Sequence, residues 1–244
     1  MKNVFVFLMS IFVLSTLTMA QKNYQTDTIP ASSGNLMITF LGHGSLMFTF
    51  DSTVVHVDPY SKVANYSALP DADLVLITHH HQDHLDTAAL NQVLKQGTVI
   101  LGSQTVAGSV KDAIVMKNGD SKTIKGVGIN AVPAYNIVHK RDNGQPFHPK
   151  GEGNGYIIII KGKKIYIAGD TENIPEMKQF KEIDIAFLPV NLPYTMTPEM
   201  AADAARAIRP KILYPYHYGD TEISRLTELL KNDKDIEVRV RDMQ

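Results

Sequence analysis

The chain contains no cysteine and shows no excess of charge of either sign. Without cysteine it can form no disulfides and carry no lipid-anchored cysteine, so its stability must come from the packing of its core. Its 24 basic and 25 acidic side chains give no sign of the basic stripe that binds nucleic acid, and we expect no nucleic-acid partner. The 244 residues, 44% of them hydrophobic, suit one elaborated domain.

The first 20 residues have the pattern of a secretory signal peptide. A lysine provides the positive start, residues 4–17 are mostly apolar, and Thr18-Met19-Ala20 is typical of a cleavage point. The apolar stretch is shorter than the ~20 residues of a membrane-spanning helix, so we predict cleavage rather than an uncleaved anchor. We therefore expect an exported protein, periplasmic or secreted, without a stable membrane anchor. The polar residues 21–35 predict a short leader before a domain at 36–244.

Short apolar runs bounded by turn residues predict many strands, with a few helices inserted between groups of them. Thr197-Pro198-Glu199 is typical of a helix start, with a capping hydroxyl, a proline and then an acid. Residues 135–154 predict a long loop, and such loops in compact domains are usually functional or disordered. Together these patterns predict a layered α/β fold with two sheets. The predicted strands cover 36–41, 45–50, 53–57, 74–78, 98–101, two runs within 123–133, 155–160, 164–168, 183–190 and 211–216, and the predicted helices cover 85–96, 103–113, 197–208 and 223–231.

The densest chemical signal is the segment Thr78-His79-His80-His81-Gln82-Asp83-His84, directly after a predicted strand. In extended chain His79 and His81 project to the same side, whereas the histidine between them faces away. Asp83 and His84 follow where the chain turns toward the next helix. Imidazole and carboxylate groups together suit zinc and neighbouring transition metals. A polar loop tip is the alternative interpretation, but it gives this cluster no role.

Two later strand ends also carry side chains of metal-ligand type. Asp170 lies in Gly169-Asp170-Thr171 after the predicted strand at 164–168, and His217 follows the predicted strand at 211–216. Functional groups gather on loops at strand ends because the strands hold them rigidly. Taken alone, the aspartate is typical of a turn and the histidine of a protein surface. Combined with the histidine motif, they indicate a metal site assembled from distant parts of the chain.

These residues resemble the metallo-β-lactamase-fold superfamily of metal-dependent hydrolases over residues 36–219. Within that superfamily, the chain resembles a branch that includes lactonases acting on sugar-acid phosphates and phospholipase D-type enzymes. Besides the motifs above, the resemblance rests on Gly42-His43-Gly44-Ser45, Asp58-Pro59, Pro133-Ala134-Tyr135-Asn136, His148-Pro149-Lys150-Gly151, Gly155-Tyr156 and Met196-Thr197-Pro198-Glu199.

Membership of this superfamily implies an αββα sandwich with the metal site at one edge of the sheets. It implies two ions, each with its own set of ligands, and one carboxylate between them. By this resemblance, the first ion is held by His79, His81 and a third histidine, the second by Asp83, His84 and His217, and Asp170 bridges the two.

The third histidine of the first set is ambiguous. In many relatives it ends a strand at the position occupied here by Asn136, and asparagine is a poorer zinc ligand than imidazole. His139 and His148 lie in the following loop. We favour His148, because glycine-rich chain follows it and the resemblance includes it, and a histidine at the loop rim is the alternative. If neither histidine reaches the metal, the site would hold one ion or prefer manganese or iron.

Other side chains have predicted supporting roles. Asp58 follows a valine-rich strand and suits the carboxylate to which a ligating imidazole donates its second N–H, although a turn acid is an equally good interpretation. His43 is expected to support the ligands in the same way. Lys150 and Arg141, in the loop over the site, could attract an anionic substrate, although charged loop residues are usually only solvated.

The expected activity is hydrolysis of an ester, lactone or phosphodiester bond in a small-molecule substrate. One or two Zn²⁺ ions, or Mn²⁺ or Fe²⁺ instead, would activate the attacking water. Asp83 and Asp170 are the predicted catalytic residues, which orient that water and later help to protonate the leaving group. A non-catalytic metal-binding or sensing protein is one alternative, and it would need a closed coordination shell. A di-iron redox enzyme is the other, but such relatives place a glutamate where this chain has His81.

Overall fold

The structure is a computed structural model that describes residues 23–244, so the predicted signal peptide at 1–20 lies outside the described residues. Two seven-stranded sheets, ordered β1 to β7 and β8 to β14, form the framework of this part of the chain. The strands are β1 Gln25–Pro30, β2 Asn35–Gly42, β3 Ser45–Phe50, β4 Thr53–Val57, β5 Leu74–Leu76, β6 Val99–Gly102, β7 Ala113–Val115, β8 Ser121–Ile124, β9 Val127–Ala134, β10 Gly153–Ile160, β11 Lys163–Ile167, β12 Ile185–Pro189, β13 Ile212–Tyr216 and β14 Glu237–Val238. The α-helices are α1 Thr87–Val93, α2 Gln104–Ala107, α3 Pro198–Ile208 and α4 Ser224–Leu230, and short 3₁₀ turns cover Tyr66–Ala68 and Pro175–Gln179.

The two sheets share one pairing pattern. In each sheet the first four strands pair antiparallel and the last four pair parallel. Neighbouring parallel strands end at the same edge of a sheet, so the loops that follow them are brought together. This arrangement explains how side chains far apart in sequence meet at one place.

The apolar faces of the two sheets pack against each other to form the main core. Phe40 and Phe48 of the first sheet contact Phe187 of the second, with ring centroids 6.3 and 6.0 Å apart. The alanine-rich face of α3 packs on the second sheet, and a smaller cluster around Val75 and Leu90 joins α1 to the outer face of the first. The layers therefore run helix, sheet, sheet, helix, and the predicted αββα sandwich is confirmed.

The segment predicted as a leader belongs in part to the first sheet. Residues Gln25–Pro30 form strand β1, which pairs with β2 along its whole length. Asp27 on this strand accepts two hydrogen bonds from the Arg241 guanidinium, at 2.9 and 2.7 Å. Polar composition suggested an extended leader, but an edge strand needs only one buried face, and here Ile29 supplies it.

Several predicted elements differ from the observed ones in length or type. The helix predicted at 103–113 is helical only over Gln104–Ala107, and Ala113–Val115 instead forms an edge strand. The helix predicted at 85–96 spans Thr87–Val93, because Asp86 caps its start and Leu94 is extended. Within residues 23–244, no helix has both the length and the apolar character needed to cross a membrane.

Candidate metal centre

All seven predicted metal ligands lie together at the edge where the parallel strands end. In each of three overlapping groups, one ligand atom per residue lies within 4.8 Å of the others. Neighbouring groups share His79 or His84, so together they form one continuous cluster. The groups are His79, His81 and His148; His79, His84 and Asp170; and His43, Asp83, His84 and His217.

Four buried atoms at this centre lack hydrogen-bond partners among residues 23–244: Nε2 of His84, His148 and His217, and Oδ1 of Asp170. His84 Nε2 and His217 Nε2 lie 3.4 and 3.5 Å from Asp170 Oδ1, outside hydrogen-bond geometry. His148 Nε2 lies 3.2 Å from Asp170 Oδ2. Buried polar atoms are rarely left unpaired, because each one costs about 1–3 kcal/mol. Imidazole nitrogens and a carboxylate that face one another in this way fit divalent cations.

The protonation states of the centre also suit a cation. Burial lowers the pKa of His79 well below its usual value and that of His81 to about 4, so both rings are neutral at pH 7. Burial would raise the pKa of Asp170, but the surrounding histidines, His217 first, hold it well below the usual range. Neutral imidazoles and ionised carboxylates are the forms that bind metal.

The pKa of His84 is shifted in the opposite direction. Burial disfavours its charged form, but the nearby carboxylates of Asp170 and Asp58 outweigh burial and raise the pKa of His84 to about 10. A positive charge is therefore stabilised at this point among the acids. A bound cation would supply that charge and displace the Nε2 proton.

Asp58 orients two of the histidines from a fully buried position. It accepts hydrogen bonds from His84 Nδ1 at 2.8 Å and from the Thr78 backbone N–H at 2.8 Å. The Thr78 hydroxyl donates to Asp58 at 2.6 Å and lies 3.1 Å from His79 Nδ1, which can donate to it. Both rings therefore keep Nε2 toward the centre, which is the supporting arrangement expected around ligating histidines.

The structure places the three candidates for the third ligand of the first set, His148, Asn136 and His139, in different positions. His148 brings its Nε2 into the group with His79 and His81. Asn136 instead supports it, because Asn136 Oδ1 lies 2.7 Å from His148 Nδ1. His139 turns away from the cluster and places its Nδ1 2.8 Å from Glu172.

His43 is part of the cluster itself, whereas we expected it only to support the ligands. Its Nε2 lies 3.0 Å from Asp83 Oδ2, and its ring centroid lies 3.8 Å from that of His217. The next position requires glycine for a steric reason, because a Cβ at Gly44 would lie 2.8 Å from the His84 ring. The motif Gly-His-Gly therefore lets the β2–β3 turn approach the centre closely.

Three residues of the centre have a left-handed backbone conformation. His43, Asp58 and His217 adopt left-handed φ angles of 54°, 44° and 46°. Such conformations cost roughly 1–3 kcal/mol each for residues other than glycine, and they typically persist at functional sites. The fold therefore holds these side chains in place at the expense of stability.

A groove of about 450 Å³ opens onto the cluster. Its walls include Arg141, Phe147 and Tyr194, and its floor includes Asp83 and His217. Lys150 does not line this groove, contrary to expectation, because its ammonium group pairs with Glu176 at 2.7 Å. His80 is exposed and belongs to none of the three ligand groups.

Sequence reasoning missed Glu172, which is fully buried two residues after Asp170. Burial alone would raise its pKa, but backbone N–H groups of the loop at 137–139 lower it below the usual value, so the group is ionised. Its position directly after Gly169-Asp170-Thr171 was the only available signal.

The comparisons with known proteins agree with this geometry. Residues 37–217 match the family model described as the beta-lactamase superfamily domain. The chain is 32% identical to a UPF0173 metal-dependent hydrolase of Methanopyrus kandleri over 197 residues, which cover 75% of this chain and 84% of the relative. It also resembles the crystal structure of a candidate metal-dependent hydrolase from Parabacteroides distasonis, with a TM-score of 0.87, 50% identity, and coverage of 91% of this chain and 100% of that one.

A more distant structure shares the fold. Igni18, a metallo hydrolase from Ignicoccus hospitalis, is 24% identical with a TM-score of 0.69, and the match covers 86% of this chain and 96% of that one. The family match spans the whole of the metal centre, from His43 to His217. The chain therefore belongs to the beta-lactamase superfamily domain family and is a metal-dependent hydrolase of the metallo-β-lactamase superfamily.

Proposed function

We propose that this hydrolase cleaves an ester, lactone or phosphodiester bond in a small molecule, using one or two Zn²⁺ ions. The observation that carries the proposal is the set of buried, unpaired ligand atoms around Asp170, which lies at the base of an open groove. An open groove leaves room for a substrate beside the cation. A purely structural or sensing metal site would be closed by protein ligands.

The choice of zinc follows from the donor set. Imidazole nitrogens predominate, and they suit zinc and other late transition metals better than magnesium or calcium. Mn²⁺ and Fe²⁺ are the alternatives, because carboxylates also contribute. His79, His81 and His148 would hold one ion, and Asp83, His84 and His217 would hold the other, with Asp170 between them. A cation bound there would polarise the scissile bond and lower the pKa of water to about 7.

Asp83 is the group best placed to move a proton. Its side chain is about one third exposed and faces the groove. Burial would raise its pKa, but the neighbouring imidazoles of His217, 3.6 Å from Oδ2, and of His43, 3.0 Å from it, hold that pKa far below the usual range. The carboxylate therefore stays ionised beside the substrate, where Oδ2 can accept a proton from water and pass it to the leaving group.

The walls of the groove favour a substrate with an anionic group and an apolar part. The Arg141 guanidinium lies 5.1 Å from the centroid of the Phe147 ring, which contacts Tyr194 edge-on at 5.1 Å. The Arg141 guanidinium donates to the Phe147 carbonyl at 3.3 Å and has no carboxylate partner within the described chain, so its charge is available to a ligand. A cation beside an aromatic surface can bind a carboxylate or a phosphate attached to an apolar group.

We also propose that the protein is exported and acts as a free enzyme in the periplasm or outside the cell. The amino-terminal pattern at 1–20 supports this proposal. Fractionation of cells that express the full chain, followed by amino-terminal sequencing, tests it. An intact amino terminus on protein from the cytoplasmic fraction would refute it.

The activity is tested with metal-loaded protein and substrates of four classes. Metal content is measured first, and then hydrolysis of 4-nitrophenyl acetate, bis(4-nitrophenyl) phosphate, γ-butyrolactone and a β-lactam is assayed with Zn²⁺, Mn²⁺ or Fe²⁺. We expect turnover in at least one of the first three classes. Tightly bound metal with no turnover in any class would instead favour a metal-binding protein.

A further inference from the structure

Among residues 23–244, the buried carboxylate of Glu172 accepts four hydrogen bonds, and all of them come from one loop. Its two oxygens accept from the backbone N–H groups of residues 137–139, at 2.6 to 2.8 Å, and from Asn136 Nδ2 at 3.2 Å. The loop begins where β9 ends and leads toward His148. Glu172 therefore anchors the segment that leads to His148, a candidate metal ligand, and it belongs to none of the three ligand groups itself.

The charge of Glu172 decides which way the Asn136 amide points. A carboxylate only accepts hydrogen bonds, so the NH₂ group of Asn136 must face Glu172. The same NH₂ group donates to the backbone carbonyl of Tyr194 at 2.9 Å. Asn136 Oδ1 consequently faces His148, where it lies 2.8 Å from the backbone nitrogen and 2.7 Å from Nδ1.

The orientation of that amide in turn decides where the His148 ring carries its proton. Asn136 Oδ1 can only accept, so His148 Nδ1 must be the protonated nitrogen. His148 Nε2 is then the atom that can bind a metal, and it lies 3.2 Å from Asp170 Oδ2 in the group with His79 and His81.

We propose that Glu172 is a positioning residue which, through the amide of Asn136, holds His148 in the Nδ1–H tautomer and presents its Nε2 to the metal. Ligating histidines usually donate their second N–H directly to a carboxylate or a carbonyl. Here an amide stands between the carboxylate and the ring, so the negative charge acts from one residue farther away. The proposal rests on the metal site proposed above but not on the identity of the reaction.

We call the chain of hydrogen bonds from Glu172 through Asn136 to His148 the relay. The Zn²⁺ affinity of the Glu172→Gln variant tests it. Glutamine keeps the size but offers a single acceptor oxygen, and its NH₂ group cannot accept from Asn136. Loss of such a supporting contact typically weakens metal binding about ten- to a hundredfold, and we expect that loss in a competition titration with a chromophoric chelator. Glu176→Gln is the matched control, because Glu176 pairs with Lys150 and Tyr135 outside the cluster, and it should bind Zn²⁺ like the wild type. Wild-type affinity in folded Glu172→Gln would overturn the proposal.

A double variant separates the relay from simple anchoring of the loop. In Asn136→Asp with Glu172→Gln, the new glutamine can donate to the new aspartate, whose other oxygen accepts from His148 Nδ1. Because Asn136→Asp also removes the donor to the Tyr194 carbonyl, the pair is compared with Asn136→Asp alone, in which two carboxylates face each other. We expect the pair to bind Zn²⁺ more tightly than that single variant. Loop anchoring alone would predict no such gain, because in the pair the N–H groups of 137–139 would be short of acceptors. Absence of that gain would therefore refute the relay.

The tautomer itself can be measured without any variant. Nitrogen-15 NMR of the imidazole rings in metal-free wild type should show His148 protonated at Nδ1. A ring protonated only at Nε2 would overturn the proposal even if Glu172→Gln fails to fold. Neither measurement uses a substrate, so failure to find hydrolysis would refute the proposed reaction without bearing on Glu172.

Discussion

The fourth strands of the two sheets, β4 and β11, are each followed by an aspartate, and the two aspartates have different surroundings. Asp58 follows β4 and is saturated by hydrogen bonds from Thr78 and His84. Asp170 follows β11 and leaves Oδ1 without a hydrogen-bond partner in the described chain, although histidines surround it. The comparison shows that position in the fold brings a carboxylate to the site, and the number of protein partners then decides whether it supports a ligand or can act as one.

The same substitution at both positions makes this comparison quantitative, and the largest effect is expected at Asp170. Asp170→Asn removes the charge shared by the two ligand sets, so bound metal and activity should both be lost. If the cation supplies several kcal/mol of transition-state stabilisation, turnover should fall on the order of a thousandfold or more. Metal analysis and the nitrophenyl assays check this, with circular dichroism as the control for folding. Wild-type rates would remove Asp170 from the mechanism.

Asp58→Asn should have a smaller effect on the same quantities. The amide still accepts one hydrogen bond, but it no longer holds His84 and Thr78 together through two negatively charged oxygens. We expect Zn²⁺ affinity to fall about ten- to a hundredfold while metal-saturated turnover largely recovers. Titration with zinc distinguishes this result from that of Asp170→Asn, which excess zinc should not rescue. Equal losses in the two variants would contradict the division between support and ligand.

Two buried histidines differ in the direction in which their pKa values are shifted. Nearby carboxylates raise the pKa of His84. Burial lowers the pKa of His56, on β4, to about 4 despite its hydrogen bond to the Pro70 carbonyl. The fold therefore favours neutral His56, and this contribution to stability is complete above the unfolded pKa of about 6.5 and is lost as pH falls toward about 4. Between pH 6.5 and pH 5 the loss should reach about 2 kcal/mol.

Urea unfolding of metal-free protein checks this prediction. His56→Gln keeps a donor for the Pro70 carbonyl but cannot take up a proton. The variant should lose less stability than the wild type over the same pH range. Parallel pH profiles for the two proteins would show that His56 does not titrate as its burial requires.

The smallest expected effect concerns substrate binding at the groove wall. Arg141→Gln should raise KM about fivefold for an anionic ester such as 4-nitrophenyl hydrogen glutarate, because an exposed charge pair contributes about 1 kcal/mol. The neutral methyl 4-nitrophenyl glutarate should be unaffected, and kcat should change little for either. Lys150→Gln is the matched control, since that lysine pairs with Glu176 instead. Equal effects on both esters would remove Arg141 from substrate recognition.

The candidate metal centre could be proposed from the sequence because its residues follow strand ends, and strands are readable from short apolar runs. The structure brings the side chains proposed in this way close together, namely His79, His81, Asp83, His84, Asp170 and His217. Whether they bind metal stays a prediction. Glu172 could not be identified, because its partners are backbone N–H groups of a loop whose shape no local pattern specifies. Lys150 lies in the same loop, so its pairing with Glu176 was not foreseen either.

Errors in the fold arose at the edges of the sheets. Residues Gln25–Pro30 and Glu237–Val238 form edge strands that the sequence did not predict. Edge strands bury little surface, so their hydrophobic pattern is weak, and only pairing with a neighbour reveals them. The central strands bury both faces, as at Ile185–Pro189, and their apolar runs were recognised.

The ligand atoms come from positions spread between residues 79 and 217, and both sheets contribute them. A ribosome releases the histidine motif long before it makes the last histidine, so a nascent chain holds only part of the set. Full affinity arises once the second half has folded onto the first. The concentrations of free ions in the compartment where folding finishes, together with the ligand set, then determine which metal the enzyme acquires.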